Sequence, residues 1–251
     1  MKLLKNSLFI ITITFFNYNS FAFNANDNWE GEPFSEFNKI RSTYGSKFII
    51  SSADKHASLV ASKILKKGGN AIDAAIAAQL VLNVVEPHSS GIGGGGFLLY
   101  YDAKTKKTEF FNGRERAPAR SYSKMFLDIK GNPRNFTDVV RGGLSVGTPG
   151  LLMILKQAHD KYGKLPWEEL FLPAIQIAEQ GFEIDKRTNI LAKKITYLKD
   201  FKQSKELYLQ NDKPKPVGTI VKNPELANSF RIIAKEGIKP FYNGSIAKDI
   251  S

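Results

Sequence analysis

A short stretch near the middle of the chain has the residue types needed to bind a small carboxylate. Asn112 to Pro118 reads Asn-Gly-Arg-Glu-Arg-Ala-Pro and follows a predicted hairpin. The guanidinium of Arg114 offers planar, paired donors that match a carboxylate, and an ordinary surface pair with Glu115 is the alternative. If the stretch is extended, Arg114 and Arg116 face one side and Glu115 the other, so only one face can line a pocket.

A glycine cluster, Gly91 to Gly96, formally satisfies the pattern G-x-G-x-x-G. In dinucleotide-binding proteins this pattern lies between a strand and a helix, so that the phosphate meets a helix N-terminus. Here a predicted helix comes first and a predicted strand follows, and no P-loop lysine is present. We therefore expect no nucleotide, and a backbone that another segment or a ligand can approach closely.

A second motif, Gly143 to Gly147, formally satisfies G-x-S-x-G and makes Ser145 a candidate nucleophile. In α/β-hydrolases the motif needs a strand directly before the serine and a helix directly after it. Arg141 to Gly143 make a poor strand end, and His159, the only later histidine, falls within the next predicted helix. A serine hydrolase that uses Ser145 is thus an alternative that the context disfavours.

Composition excludes several kinds of site. The chain has 251 residues and no cysteine, which excludes disulfides, zinc–thiolate sites and cysteine nucleophiles. Its three histidines leave little room for a histidine-rich metal centre, and we predict no metal and no cofactor. His56 and His88 fit satisfied polar residues at the ends of elements. His88 also follows Glu86 and Pro87 at the mouth of the glycine cluster, which indicates a supporting role there.

The charge and hydropathy of the chain are typical of a globular protein with a basic surface. Hydrophobic residues make up 42% and charged residues 24%, and the formal net charge is +12. The lysines are scattered over predicted helix faces in short clusters that lack interleaved aromatic residues. This pattern favours a solvated surface over a nucleic-acid interface.

The first 22 residues have the order of a secretory signal peptide. Lys2 and Lys5 precede an apolar run from Leu8 to Phe16, and the small residues Ser20 and Ala22 stand at the spacing that signal peptidase recognises. The run is shorter than the roughly 20 residues that span a bilayer, although an uncleaved membrane anchor is the alternative. We expect an exported protein, periplasmic or secreted, without a stable membrane span after cleavage. Residues 23–46 are polar and predict an exposed arm.

Residues 47–251 predict one domain of helices and strands, in the α/β class with layers arranged as in α+β folds. Lys47–Ser52 predicts a strand, and Phe97–Tyr101 with Thr108–Phe111 predicts a hairpin. The helix at 70–85 is apolar on nearly all sides and should be buried. Apolar periodicity, caps and stop signals predict helices over 57–67, 70–85, 149–162, 166–180, 185–200 and 223–237.

Six sequence blocks occur in an order that resembles the γ-glutamyltranspeptidase (glutathione hydrolase) family. The blocks are Asn70–Ala75, Glu86–Phe97, Gly113–Glu115 with Ala117–Pro118, Gly147–Gly150, Tyr162–Trp167 and Phe241–Gly244. The resemblance runs from about Phe48 to Ser251, and the block from Glu86 to Phe97 is its most specific part.

The resemblance implies a fold, an activity and a role for a few residues. The fold is the αββα sandwich of N-terminal-nucleophile hydrolases, here only in part. The activity is transfer of the γ-glutamyl group of glutathione to water, an amino acid or a peptide, by a threonine at the start of a separate small subunit. Arg114 would bind the α-carboxylate of the γ-glutamyl group. Glu115, Gly94 and Gly95 would support the pocket, and Arg116 departs from the family and receives no role.

The chain stops within the part that resembles the large subunit of this family. We therefore expect that it contains no catalytic residue, is truncated and is inactive alone. Two alternatives are half of a split enzyme that another chain completes, and a module that only binds γ-glutamyl compounds. Because inner apolar faces of the sandwich would be uncovered, we expect marginal folding or aggregation.

Overall fold

The computed structural model of the protein describes residues 44–251. The predicted signal peptide, 1–22, and most of the predicted arm, 23–46, lie outside the described residues. Tyr44 to Ser46 are exposed and irregular. No helix in this part of the chain is both long enough and apolar enough to cross a lipid bilayer.

Helices dominate the regular structure. In chain order they are α1 (Lys55–Lys66), α2 (Ala71–Val85), α3 (Phe136–Val139), α4 (Leu151–Tyr162), α5 (Trp167–Gln180), α6 (Lys186–Lys194), α7 (Lys202–Tyr208), α8 (Pro224–Glu236), α9 (Lys239–Asn243) and α10 (Ser245–Ile250). The strands are β1 (Gly96–Asp102), β2 (Lys107–Gly113), β3 (Phe182–Glu183), β4 (Leu209–Gln210), β5 (Lys213–Pro214) and β6 (Ile220–Val221). They pair as three two-stranded antiparallel sheets, β1 with β2, β3 with β6 and β4 with β5. The described residues thus form a mixed helix–strand fold, consistent with the predicted α/β class, in which each strand pairs with one other strand.

Helix α2 is the centre of the core, as its sequence predicted. Its side chains are buried on almost every side, and Ile76, Leu80 and Val81 are fully enclosed. Its start is fixed by a capping box, in which Asn70 and Asp73 each accept a hydrogen bond from the other's backbone N–H.

The carboxylate of Asp73 also ties α2 to the loop between α4 and α5. It is fully buried and accepts hydrogen bonds from the backbone N–H of Lys164, at 3.0 Å, and of Leu165, at 3.2 Å. A buried carboxylate needs such partners, because an unpaired one would lose its hydration without compensation. The loop is therefore held in one place beside the N-terminus of α2.

The second part of the core lies between α5 and α8. Phe171 and Phe230 are both fully buried, and their rings meet edge to face with centroids 5.8 Å apart. Both helices begin and end close to the positions predicted. Helix α5 stops at Gly181, whose φ of 99° favours glycine, and Asn223 caps α8 by accepting a hydrogen bond from the N–H of Leu226.

The β1–β2 hairpin is confirmed and has two different faces. Leu98 pairs with Phe111, and both lie on the face that packs against the helices. Leu99 pairs with Phe110 on the opposite face, where both are exposed. The inner face is held on α4 by Tyr162, whose ring centroid is 4.5 Å from that of Tyr100.

Three sequence predictions are wrong at the level of elements. Residues 47–52 form no strand, because no described segment pairs with them, and Ser52 instead bonds Asp54 and Ser58 ahead of α1. Helix α4 starts at Leu151 and not at Pro149, because Thr148 pairs with Arg116 through the backbone. The helix predicted over 185–200 ends at Lys194, where Ile195 leaves helical geometry, and a 3-10 turn covers Thr196–Asp200.

Candidate functional site

A cavity of about 720 Å³ lies where α2, the glycine cluster, the end of β2 and α4 meet. Residues far apart in the sequence line it together, among them Glu86, His88, Gly94, Gly95, Arg114 and Glu115. Its volume is within the range of about 300–1,000 Å³ that is typical of ligand sites. All four residues singled out from the sequence as pocket residues therefore line one cavity.

Arg114 lies directly after β2 and presents its side chain to solvent at this cavity. Its backbone N–H donates to Oδ1 of Asn112 at 3.0 Å, which fixes the turn out of the strand. The side chain is 69% exposed, and Nη1 is 3.2 Å from Oε2 of Glu115. The guanidinium is thus accessible to a ligand and carries one neighbouring carboxylate.

Glu115 pairs with Arg114, and the condition under which the two would face apart, an extended strand through this stretch, is not met. The chain leaves regular strand geometry after Gly113, and the next pairing is the isolated bridge between Arg116 and Thr148. Because the strand alternation no longer applies, the carboxylate of Glu115 turns toward Gly95 and Arg114.

Two glycines of the cluster let the walls of the cavity approach each other. A Cβ on Gly95 would lie 2.5 Å from the carbonyl oxygen of Gly113 and 2.6 Å from Oε2 of Glu115. The carbonyl oxygen of Gly94 accepts hydrogen bonds from the N–H of Gly150 and of Leu151, both at 3.1 Å, at the start of α4. The predicted order of a helix, the glycine cluster and then a strand is confirmed. The cluster therefore connects two elements and does not lie at the start of a helix.

A largely buried polar cluster lies at and behind the part of the wall that continues from α2. Oε2 of Glu86 is 3.3 Å from Nη1 of Arg187 and 3.1 Å from Nε2 of His88. Nη2 of Arg187 donates to Oγ of Ser89 at 3.1 Å. Sequence reasoning missed Arg187, because it lies on α6 and no local pattern connects it to Glu86.

The residues of the serine-hydrolase alternative do not come together. Ser145 is exposed on a 3-10 turn, Gly143–Ser145, that no strand precedes. Nε2 of His159 is 2.9 Å from the carbonyl oxygen of Leu165, and the ring packs against Trp167. The geometry of a nucleophile elbow is absent from this segment.

His56 has a local structural role, and the described residues hold no obvious metal site. Nδ1 of His56 is 2.9 Å from Asp54, the residue that caps α1. Between Tyr44 and Ser251 no group of three or more His, Cys, Asp or Glu side chains is placed to hold a metal ion.

Comparison with known sequences assigns most of the chain to one family. The family model for gamma-glutamyltranspeptidase matches residues 57–251. The chain is 40% identical to the glutathione hydrolase proenzyme of Bacillus subtilis strain 168 over 238 residues, which cover 92% of this chain and 39% of the relative. It is 36% identical to the glutathione hydrolase proenzyme of Escherichia coli K12 over 220 residues, covering 86% of this chain and 37% of the relative. The chain thus spans about two fifths of the length of these relatives.

Solved structures give the same result for the fold. The gamma-glutamyltranspeptidase of Helicobacter pylori superposes with a TM-score of 0.79 at 31% identity, covering 84% of this chain and 60% of that one. The enzyme from Pseudomonas nitroreducens, solved as a complex with L-DON, gives a TM-score of 0.74 at 35% identity, covering 82% and 60%. On the family match, the sequence identities and the superposed folds, this chain belongs to the gamma-glutamyltranspeptidase family.

Proposed function

We propose that this protein binds γ-glutamyl compounds such as glutathione, as the large-subunit part of a γ-glutamyltranspeptidase, with Arg114 holding the α-carboxylate. The observation that carries the proposal is the accessible guanidinium of Arg114 at a cavity of about 720 Å³. A guanidinium binds a carboxylate through two parallel hydrogen bonds, which fixes the ligand's orientation as well as its position.

Glu115 supports the binding role of Arg114 and does not take the place of the ligand's carboxylate on the guanidinium. Oε2 of its carboxylate lies 3.2 Å from Nη1 of Arg114. It is held in turn against Gly95, so it restrains the arginine from one side. A restrained guanidinium loses less side-chain entropy when it binds a ligand.

We further propose that this chain binds but does not turn over its substrate alone. Acyl transfer needs a hydroxyl or thiol with a base in reach. Of the hydroxyls lining the cavity, Ser90 bonds the side-chain amides of Asn83 and Gln79, and Ser89 accepts from Arg187. None of these partners is a general base, and a second polypeptide with the nucleophilic threonine would supply the chemistry. We also propose that the protein acts outside the cytoplasm, periplasmic or secreted, on the basis of its N-terminal sequence.

Binding is tested by calorimetry with glutathione on the chain and two arginine variants. Arg114→Ala should weaken binding by roughly tenfold to a hundredfold, the value of a hydrogen bond to a charged group. Arg116→Ala is the matched control, because this arginine lies two residues further on and is not part of the cavity wall. Equal affinity of Arg114→Ala and wild type would refute the role of Arg114.

Turnover is tested separately with a γ-glutamyl anilide. The chain alone should release no aniline above background, whereas co-expression with a chain carrying a family small subunit should restore release that Arg114→Ala abolishes. Release by the chain alone would show that the proposed division of labour is wrong.

A further inference from the structure

Buried polar atoms without a hydrogen-bond partner gather at one place in the molecule. Between Tyr44 and Ser251 there are four such side-chain atoms: Nδ2 of Asn83, Nδ1 and Nε2 of His88, and Oε2 of Glu115. His88 and Glu115 line the cavity that contains Arg114, and Asn83 bonds two further lining residues, Gln79 and Ser90. Because folded proteins satisfy most buried polar groups, such a cluster needs partners from outside the described side chains.

The position of His88 is set by a buried ion pair. Its side chain is only 9% exposed, and Nε2 is 3.1 Å from Oε2 of Glu86, close but outside hydrogen-bond geometry. The same carboxylate oxygen is 3.3 Å from Nη1 of Arg187. The arginine therefore holds Glu86, and the carboxylate of Glu86 lies beside the imidazole.

This arrangement determines which ring nitrogen is available. A lone pair on Nε2 would repel the carboxylate oxygen at 3.1 Å, so we assign the proton to Nε2. In the neutral imidazole Nδ1 is then an acceptor, and no described residue donates to it. Oε2 of Glu115, in the same cavity, also lacks a hydrogen bond, but its charge is paired with Nη1 of Arg114 at 3.2 Å. The unpartnered Nδ1 of His88 favours a ligand that brings an N–H group, and the nearby carboxylate of Glu86 disfavours a second carboxylate there.

We propose that His88 is a second ligand-binding residue of this cavity, whose Nδ1 accepts a hydrogen bond from an N–H of the compound that Arg114 holds. The proposal rests on the proposed function and names the second chemical group that the cavity recognises. That group is an amine or an amide N–H, and both occur in γ-glutamyl peptides. Glu86 and Arg187 are positioning residues, which act through the imidazole.

The test measures binding of two probes to variants of His88 by calorimetry. The probes are glutathione and glutaryl-cysteinyl-glycine, which keeps both carboxylates and the amides but lacks the α-amine. His88→Phe should weaken glutathione binding roughly threefold to tenfold, the value of one neutral hydrogen bond. His88→Asn should retain most of the affinity, because the amide oxygen of asparagine can occupy the place of Nδ1. His56→Asn is the control, since His56 lies outside the cavity wall.

The two probes identify the N–H source. If His88 binds the amine, His88→Phe weakens glutathione alone; if it binds an amide, the variant weakens both probes equally. A loss in His88→Asn as large as in His88→Phe would overturn the proposal, since it would show that only the ring's packing matters.

A spectroscopic readout separates hydrogen bonding from structural support. In wild-type protein with ¹⁵N-labelled histidine, Nδ1 of His88 should be unprotonated without ligand and should shift when glutathione is added. An unchanged Nδ1 resonance at saturating glutathione overturns the proposal, even where His88→Phe does not fold.

The outcomes distinguish this inference from the proposed function. If Arg114→Ala weakens binding and His88→Phe does not, the function stands and the role of His88 falls. If His88→Phe weakens binding and Arg114→Ala does not, His88 contacts the ligand and the role proposed for Arg114 is wrong. Wild-type protein that binds neither probe overturns both.

Discussion

Gly95 shows at the scale of one residue why the cavity has its shape. Its backbone passes so close to the carbonyl of Gly113 and the carboxylate of Glu115 that no side chain fits between them. Gly93, two residues earlier, has no heavy atom within 4 Å of the position where a Cβ would lie. The same residue type is therefore required at one position for space and tolerated at the other.

Replacing these two glycines by alanine should separate the two cases. Gly95→Ala should lower the free energy of unfolding by about 1–3 kcal/mol, because the methyl group forces Glu115 or β2 to move. Gly93→Ala should be neutral or stabilise by up to about 1 kcal/mol, since alanine restricts the unfolded chain. Urea unfolding of both variants measures the difference. Equal stabilities would mean that the close approach at Gly95 is not a constraint.

The chemistry of single residues predicted part of this site, and the rest depends on contacts between residues that only the fold brings together. The guanidinium at Arg114 and the permissive backbone at Gly94 and Gly95 could be recognised locally, because each depends on its own chemistry. The side of the chain on which Glu115 lies could not, because it depends on the bridge between Arg116 and Thr148. Nor could Arg187, which lies on α6 and contacts Glu86 of the cavity wall only in the folded chain.

At the scale of elements, the hairpin is attached to α4 by a polar contact as well as by aromatic packing. Nζ of Lys161 donates to both carboxylate oxygens of Glu109 at 2.7 Å, and the hydroxyl of Tyr162 donates to the same carboxylate. The hydrogen bonds from Lys161 first, and then from Tyr162, lower the pKa of Glu109 below its usual value. The carboxylate in return raises the pKa of Lys161 and of Tyr162.

This attachment should weaken in acid. Because the pKa of Glu109 is lowered by folding, its contribution to stability is present above the unfolded pKa of about 4.3 and is lost as the pH falls through the lower folded value. The difference in urea midpoint between wild type and Glu109→Gln should be constant from pH 7 to pH 5 and should shrink below pH 4. Glu183→Gln, on β3 and outside the hairpin, is the control. A difference that persists unchanged at pH 3 would contradict the prediction.

Local signals also decided which elements the sequence predicted correctly. Helices α2, α5 and α8 carry their own caps, stops and apolar periodicity, and the hairpin carries two β-rich runs around a turn. The run at 47–52 has equally β-rich residues, but a strand needs a partner, and its composition does not show whether one is present. Helix α4 starts late for the same kind of reason, since Gly150 and Leu151 bond Gly94 from another segment.

At the scale of the whole molecule, one apolar surface of the described residues is exposed to solvent and is not part of the helical core. The outer face of the hairpin, defined by Phe97, Leu99, Tyr101 and Phe110, is exposed, and Leu99 is 72% accessible. The rings of Phe97 and Phe110 stack with centroids 5.6 Å apart, so the surface is continuous across the two strands. Contiguous apolar patches of this kind mark surfaces that associate with other protein.

We therefore expect the isolated chain to self-associate through the outer face of the hairpin. Leu99→Lys should reduce this association, because it places a charge at the centre of the patch opposite Phe110 while leaving the inner face unchanged. Leu59→Lys on α1 is the matched control, since Leu59 is also an exposed leucine but lies outside the hairpin. Sedimentation velocity over a range of concentrations should show larger species for wild type and Leu59→Lys than for Leu99→Lys, with equal urea midpoints for the three proteins. A wild-type chain that sediments as a monomer at every concentration would show that the exposed face does not drive association.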